Sequence, residues 1–212
     1  MVIAIDGPAG AGKSTVARGV AAALGFTYLD SGAMYRSVAL AALRAGLDVD
    51  DAGAVGRLAR GLEIELEGPA VLLGGEDVSE AIREPAVTEA ASRVSVHPGV
   101  RTAMVERQRE LIAGGRYVAE GRDIATVVSP AAPLKVFLTA SGAARARRRA
   151  AERGEPVAEV LAAQAKRDRR DREREFGALH AADDAVELDT TGVGIEEVIG
   201  RVVSIARERG LG

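Results

Sequence analysis

One stretch of the chain has the residue types and spacing to hold a polyphosphate. Gly7-Pro8-Ala9-Gly10-Ala11-Gly12-Lys13-Ser14 fits G-x-x-x-x-G-K-[ST] at every fixed position. Glycines let backbone N–H groups wrap a phosphate without Cβ clashes. A helix starting near Lys13 points its positive dipole end at the same anion. Lys13 is suited to bridging β- and γ-phosphates, and the Ser14 hydroxyl to Mg2+. The plainer alternative is a glycine-rich turn with an exposed lysine. The flanks argue against it: the apolar run VIAID precedes the loop, and Val16, Val20, Ala23 and Leu24 follow at helical spacing.

Such a loop identifies a nucleotide, not a reaction. A small kinase, a switch GTPase and an ATP-driven motor or nucleic-acid module compete. The chain contains no Asn, so the Asn-Lys-x-Asp loop with which a GTPase reads guanine cannot exist. A motor usually ends a hydrophobic strand in an acidic pair, whereas RYVAE offers the single acid Glu120.

Other charged groups are patterned. Arg167, Asp171 and Arg174 are four and three residues apart, so they share a helix face, with Arg170 beside them. From spacing alone, an ion-pair ladder on a solvated helix competes with an anion site. Arg145, Arg147, Arg148, Arg149 and Arg153 crowd nine residues before Gly154-Glu155-Pro156. They would repel one another unless an anion lay between them; an RNA patch, plain surface and a lid over a triphosphate are the alternatives. Arg36 lies in a helix otherwise rich in Ala, Val and Leu, either as a snorkelling surface arginine or as a phosphate contact. His97 and His180 have no partners for Ser-His-Asp chemistry or a metal and read as structural or surface residues.

The elements that must position these groups alternate. Strands are expected at 2–6, 26–30, 116–120, 134–140 and 185–189, with helices after most of them. This pattern indicates an α/β fold with a parallel sheet. Residues 48–93 depart from it: LEIELEG alternates apolar and acidic residues and AVLLGG follows a Gly-Pro turn, which predicts a small antiparallel insert. Helices are expected to resume through 84–96, break at His97-Pro98, and continue to 114. Ser141 is a candidate N-cap, 156–176 a long charged helix, and GIEEVIGRVVSIARERG a C-terminal amphipathic helix.

Composition bounds the rest. At 212 residues, 47% hydrophobic and 28% charged, the chain suits one globular domain with inserts. A net charge of −3 argues against a basic nucleic-acid binder. The start MVIAIDGPAG is unlike a signal peptide, no apolar run would span a bilayer, and the absence of Cys suits a reducing cytoplasm. Of 28 cations, 25 are Arg, the residue for bidentate phosphate contacts; a GC-rich genome explains that bias equally well.

Leu29-Asp30-Ser31-Gly32-Ala33-Met34-Tyr35-Arg36 resembles the LDSGAxYR signature of bacterial cytidylate kinases. So do Glu76-Asp77-Val78-Ser79 with Ile82-Arg83, and Ala90-Ala91-Ser92 with Pro98-x-Val100-Arg101. Gly121-Arg122-Asp123-Ile124 with Thr126-Val127-Val128, and Arg167-x-x-x-Asp171-x-x-Arg174, match as well. Ala125 stands where the family usually has Gly, and Ser129-Pro130-Ala131-Ala132 where it shows an aromatic-Pro-Asp-Ala run.

The resemblance implies a P-loop nucleoside monophosphate kinase fold: a five-stranded parallel sheet, a small antiparallel β-containing insert and an arginine-rich lid. The core would be 1–47, 94–144 and 159–212, the monophosphate-binding insert 48–93 and the lid about 145–158. It implies ATP, with Mg2+, on Gly7, Pro8, Ala9, Gly10, Ala11, Gly12, Lys13, Ser14, Thr15 and Arg148, the metal resting on Ser14 and, through water, on Asp30 or Glu120. It places CMP or dCMP on Ser31, Arg36, Ser92, Arg101, Arg122, Asp123, Arg167, Asp171 and Arg174. Lys13, Arg122, Arg145 and Arg149 would act on the transferring group. A monomer in the cytoplasm, with no nucleic-acid or membrane partner, is the expectation that follows.

Overall fold

The computed structural model describes residues 1–212, apart from the side chain of Arg153. A five-stranded sheet is ordered β2 (Thr27–Asp30), β6 (Tyr117–Gly121), β1 (Val2–Asp6), β7 (Leu134–Thr139), β8 (Val186–Asp189). β1 is parallel to β6 and to β7, and β7 to β8. The central position of β1 explains its unbroken apolar run, since helices or loops cover both faces of a parallel sheet. The five predicted strands are all present, within two residues at each end.

The chain divides into two compact units, Met1–Tyr28 with Gly114–Gly212, and Leu29–Ala113. In the first, α1 (Lys13–Leu24) and α8 (Ile195–Glu208) bury Val16, Val20, Val198 and Val202 with Ile3, Ile5 and Val118. The predicted charged helices are α6 (Gly142–Arg153) and α7 (Val157–Glu173), joined through the left-handed Gly154. Ser141 caps α6, accepting from the Ala144 N–H at 3.2 Å. A single wide turn at 124–128 follows β6, an element outside the expected strands and helices.

The second unit holds α2 (Ser31–Arg44), α3 (Ala52–Arg60), α4 (Pro85–Val94) and α5 (Pro98–Ala113). It also holds the antiparallel sheet β3 (Ile64–Glu67), β4 (Ala70–Leu73), β5 (Glu76–Asp77), the small sheet expected from LEIELEG. Met34, Val38, Ile64, Ile82, Val100 and Met104 form its core. The break at His97-Pro98 is structural: His97 is buried and its Nε2 lies 2.8 Å from the Val49 carbonyl. Among the described residues, no helix is long and apolar enough to cross a membrane.

Candidate active site

Strand register brings the chemistry of the first unit to one edge. Asp6 ends β1 opposite Gly121 of β6 and Phe137 of β7, so the loop at 7–12 and residues 121–123 leave the sheet together. Ligand sites in α/β sheets lie at such carboxyl edges. Two glycines make the loop's path possible. Gly7 has φ 148°, and a Cβ there would lie 2.1 Å from the Leu138 carbonyl oxygen. Gly10 has φ 78°, and its Cβ would meet the Gln164 amide at 3.0 Å.

Lys13 is buried, and its Nζ donates to the Pro8 carbonyl at 2.8 Å. Among the described residues it forms no carboxylate ion pair. Burial first, then the Arg122 and Arg167 charges, lower its pKa from 10.5 to about 7, with Glu120 and Asp171 opposing. A cation held under such strain beside backbone N–H groups suits a polyphosphate, whose charge would restore the ammonium. Ser14 is half-buried and Thr15 exposed in the first turn of α1.

Arg122 donates Nε to Asp171 Oδ2 at 2.7 Å and Nη1 to the Gly121 carbonyl at 3.3 Å. Burial opposes both charges, but the pair wins: Arg122 is raised by Asp171, and Asp171 is held below the usual carboxylate range by Arg122 and Arg167. Arg174 is buried and lies 3.4 Å from Asp123. Arg167, half-buried on the same helix, acts electrostatically on Asp171 and Lys13. The residues 122, 123, 167, 171 and 174 named from sequence thus belong to one charged cluster in this unit.

The α6 arginines divide. Arg145 is buried, donates to the Ala140 and Ala9 carbonyls at 3.1 and 2.8 Å, and pairs with Asp168 at 2.7 Å. Arg148 grips Thr190 through its hydroxyl at 3.1 Å and its carbonyl at 2.5 Å. Arg149 pairs with exposed Glu152 at 3.1 Å, and Arg147 faces solvent. Sequence reasoning missed Asp6, Tyr28, Gln164, Asp168 and Thr190. Asp6 adjoins the loop, and Gln164 and Asp168 are one helical turn apart, the only sequence signals they carry.

In the second unit, Arg101 is fully buried, donates to the Tyr35 hydroxyl at 3.4 Å and lies 5.9 Å from that ring's centre. Ser31 and Ser92 are buried. Arg36 donates to Asp30 Oδ2 at 2.9 Å, while Asp30 Oδ1 caps α2 at the Ala33 N–H. Both Asp30 oxygens are therefore engaged. Glu120, buried at the end of β6, accepts from the Tyr28 hydroxyl.

Comparison with known proteins gives one family. A family model described as cytidylate kinase matches residues 3–208. A cytidylate kinase of Mycobacterium avium is 50% identical over 99% of this chain and 96% of its own length. One of Geobacillus kaustophilus is 50% identical over 98% and 96%. Among solved structures, an uncharacterised protein from Eubacterium ventriosum aligns at a TM-score of 0.59 and 12% identity, covering 98% of each chain, a likeness of fold alone.

Proposed function

Because the chain belongs to the cytidylate kinase family, we propose that it transfers the γ-phosphoryl group of ATP to CMP or dCMP, giving ADP and CDP or dCDP. The observation that carries this is the full-length family match over a complete phosphate loop; the loop alone would leave the acceptor open. An α-phosphate oxygen of the acceptor forms the new bond to the γ-phosphorus. The bond to the β,γ-bridging oxygen breaks, and its electron pair leaves with ADP. With a second pKa of about 6, the acceptor phosphate is already largely anionic near pH 7, so no general base is required. Catalysis reduces to in-line positioning and neutralisation of charge.

Lys13 and Arg122 act on the transferring group. Arg149 joins them by giving up only an exposed ion pair, and Arg145 by giving up its contacts to Ala9 and Asp168. Arg148 lies along the ATP site. Arg36, Arg167 and Arg174 neutralise the acceptor phosphate, Ser31 supports it, and Asp171 accepts from the ribose hydroxyls.

Mg2+ fits the donor set. Among the described residues no cluster of three or more His, Cys, Asp or Glu forms a metal cage, and Mg2+ typically takes one or two protein oxygens with phosphates and waters. The Ser14 hydroxyl would hold it, with Glu120 reaching it through water; bound there, it would neutralise phosphate charge. The enzyme is read as a cytoplasmic monomer, checked by light scattering. ADP release with CMP, dCMP, UMP, AMP, shikimate or RNA tests the activity: fast release only with CMP and dCMP is expected, and equal release with RNA would replace the reading by an ATPase.

The base is read by Ser92, Arg101 and Asp123. Asp123 accepts from the cytosine amino group, Arg101 donates to the ring acceptors, and uracil would set its O4 against a carboxylate. Sites built on polar complementarity reject the wrong analogue because their own groups are left unpaired. Asp123→Asn can donate to O4, so CMP-over-UMP discrimination is expected to shrink by roughly 1–3 kcal/mol. Steady-state kinetics with both substrates decide it; an equal fall for both would make Asp123 a support, not a reader.

A further inference from the structure

Thr190 has no part in the chemistry above, yet it is 3% exposed and joins α6 to the phosphate loop. It follows β8, and its N–H donates to the Thr139 carbonyl at 2.8 Å, which anchors it to the sheet. Its Oγ1 lies 3.1 Å from Arg148 Nη1 and 3.2 Å from the Ala11 carbonyl oxygen. A guanidinium only donates and a carbonyl only accepts. The hydroxyl therefore accepts from Arg148 and gives its single proton to Ala11. The bonds run one way, from α6 through Thr190 into the loop. A charged donor at their head polarises the hydroxyl and strengthens the second bond.

The loop needs that bond at Ala11. This residue is fully buried, and Gly12 beside it has φ 88°. The Ala11 carbonyl and the Gly12 N–H share one planar trans peptide and point in opposite directions. Turning that plane over changes ψ at Ala11 and φ at Gly12, and glycine accepts either sign of φ. The loop's own glycine thus resists such a flip weakly. With the carbonyl held by Thr190, the Gly12 N–H faces away from Thr190, at the N-cap of α1. There it joins the donors of a helix N-terminus, which suit a phosphate.

We propose that Thr190 is a positioning residue for ATP: its hydroxyl links Arg148 to the Ala11 carbonyl and so fixes the Ala11–Gly12 peptide in the orientation that presents its N–H to the polyphosphate. The inference rests on the reading of the loop as an ATP site. It gives Arg148 a second task, since its Nη2 also holds the Thr190 carbonyl at 2.5 Å.

Thr190→Val keeps the shape of the side chain and removes the hydroxyl. It is expected to weaken binding of ATP with Mg2+ by ~10-fold, the scale of one buried hydrogen bond, and to leave KM for CMP within about twofold. Calorimetry without an acceptor measures the first, and steady-state kinetics the second. Thr190→Ser keeps the hydroxyl and should restore ATP affinity. In an Arg148→Ala background the polarising donor is gone, so the Thr190→Val penalty should shrink to about threefold or less. A merely structural role would lower Tm and weaken ATP and CMP alike, with no rescue by Thr190→Ser, and that result overturns the proposal. An equal penalty in both Arg148 backgrounds also overturns it. If Thr190→Val is not recovered folded, Thr190→Ala, which removes the same hydroxyl, is read in the same way; failure of both to fold overturns the assignment. An unmodified protein that binds no ATP removes the nucleotide reading and this inference with it. ATP binding present in the unmodified protein and unchanged in Thr190→Val removes this inference alone.

Discussion

Replacing Lys13 by alanine is expected to lower kcat by ~10²–10³, the scale of losing one preorganised donor to developing charge. The fold should survive, because Lys13 contributes one hydrogen bond to the Pro8 carbonyl and its burial costs stability. The sign of that cost follows from its lowered pKa. With a folded value of about 7 against 10.5, the unfolded chain binds more protons between those limits, so stability rises with pH across that window. Lys13→Ala should flatten the rise, read from denaturant melts at pH 7 and pH 10. The same shift predicts proton uptake on ATP binding at pH 8, as the polyphosphate restores the ammonium. Calorimetry in buffers of different ionisation enthalpy measures it, and the variant should show none of it. Near-normal turnover in Lys13→Ala would remove the lysine from the reaction.

How far this site could be read from sequence depends on what made each residue visible. The loop at 7–14 was legible because backbone geometry dictates its residue types: Gly7 admits no Cβ beside the Leu138 carbonyl. The sheet was legible because Val2, Ile3, Ala4 and Ile5 make an apolar run in β1 and its neighbours are bounded by turns. The buried face of α7 was legible only at Asp171. Its inward residues are Val160, Gln164, Asp168 and Asp171, a stripe at helical spacing that is mostly polar, so hydrophobic periodicity passes over it. The Arg145–Asp168 pair that ties α6 to α7 follows from that stripe. Asp6 was hidden for another reason: its partners are backbone amides 118 and 119 residues away, and no residue type marks a backbone donor. Arg36 and Asp30 were noticed singly; their pairing across six residues required the N-cap that fixes Asp30.

Asp171 is the residue whose loss should reach furthest. It is 4% exposed and bonds Arg122 at 2.7 Å, with Arg167 and Arg174 acting on the same carboxylate. Removing one partner of a buried pair leaves the other charge uncompensated, at ~3–5 kcal/mol. Asp171→Ala should therefore lower Tm, and Asp171→Asn, which still accepts from Arg122, should lower it less. A depressed carboxylate contributes stability that is fully present above its ordinary value of 3.8 and is lost as pH falls through the lower folded value. The wild type's advantage over Asp171→Asn should accordingly hold at neutral pH and disappear in acid below that range. Activity suffers through two routes. The ribose loses a charge-assisted acceptor, which predicts a ~10–100-fold fall in kcat/KM for CMP and dCMP. Lys13 also loses one of the two acids that favour its ammonium form, so the kcat profile should shift toward lower pH. Asp171→Asn separates the routes, since it restores the hydrogen bond without the charge: kcat/KM for CMP should recover in part while the pH shift persists. A loss confined to the ATP parameters would place Asp171 outside the acceptor site, and an unshifted profile would sever it from Lys13.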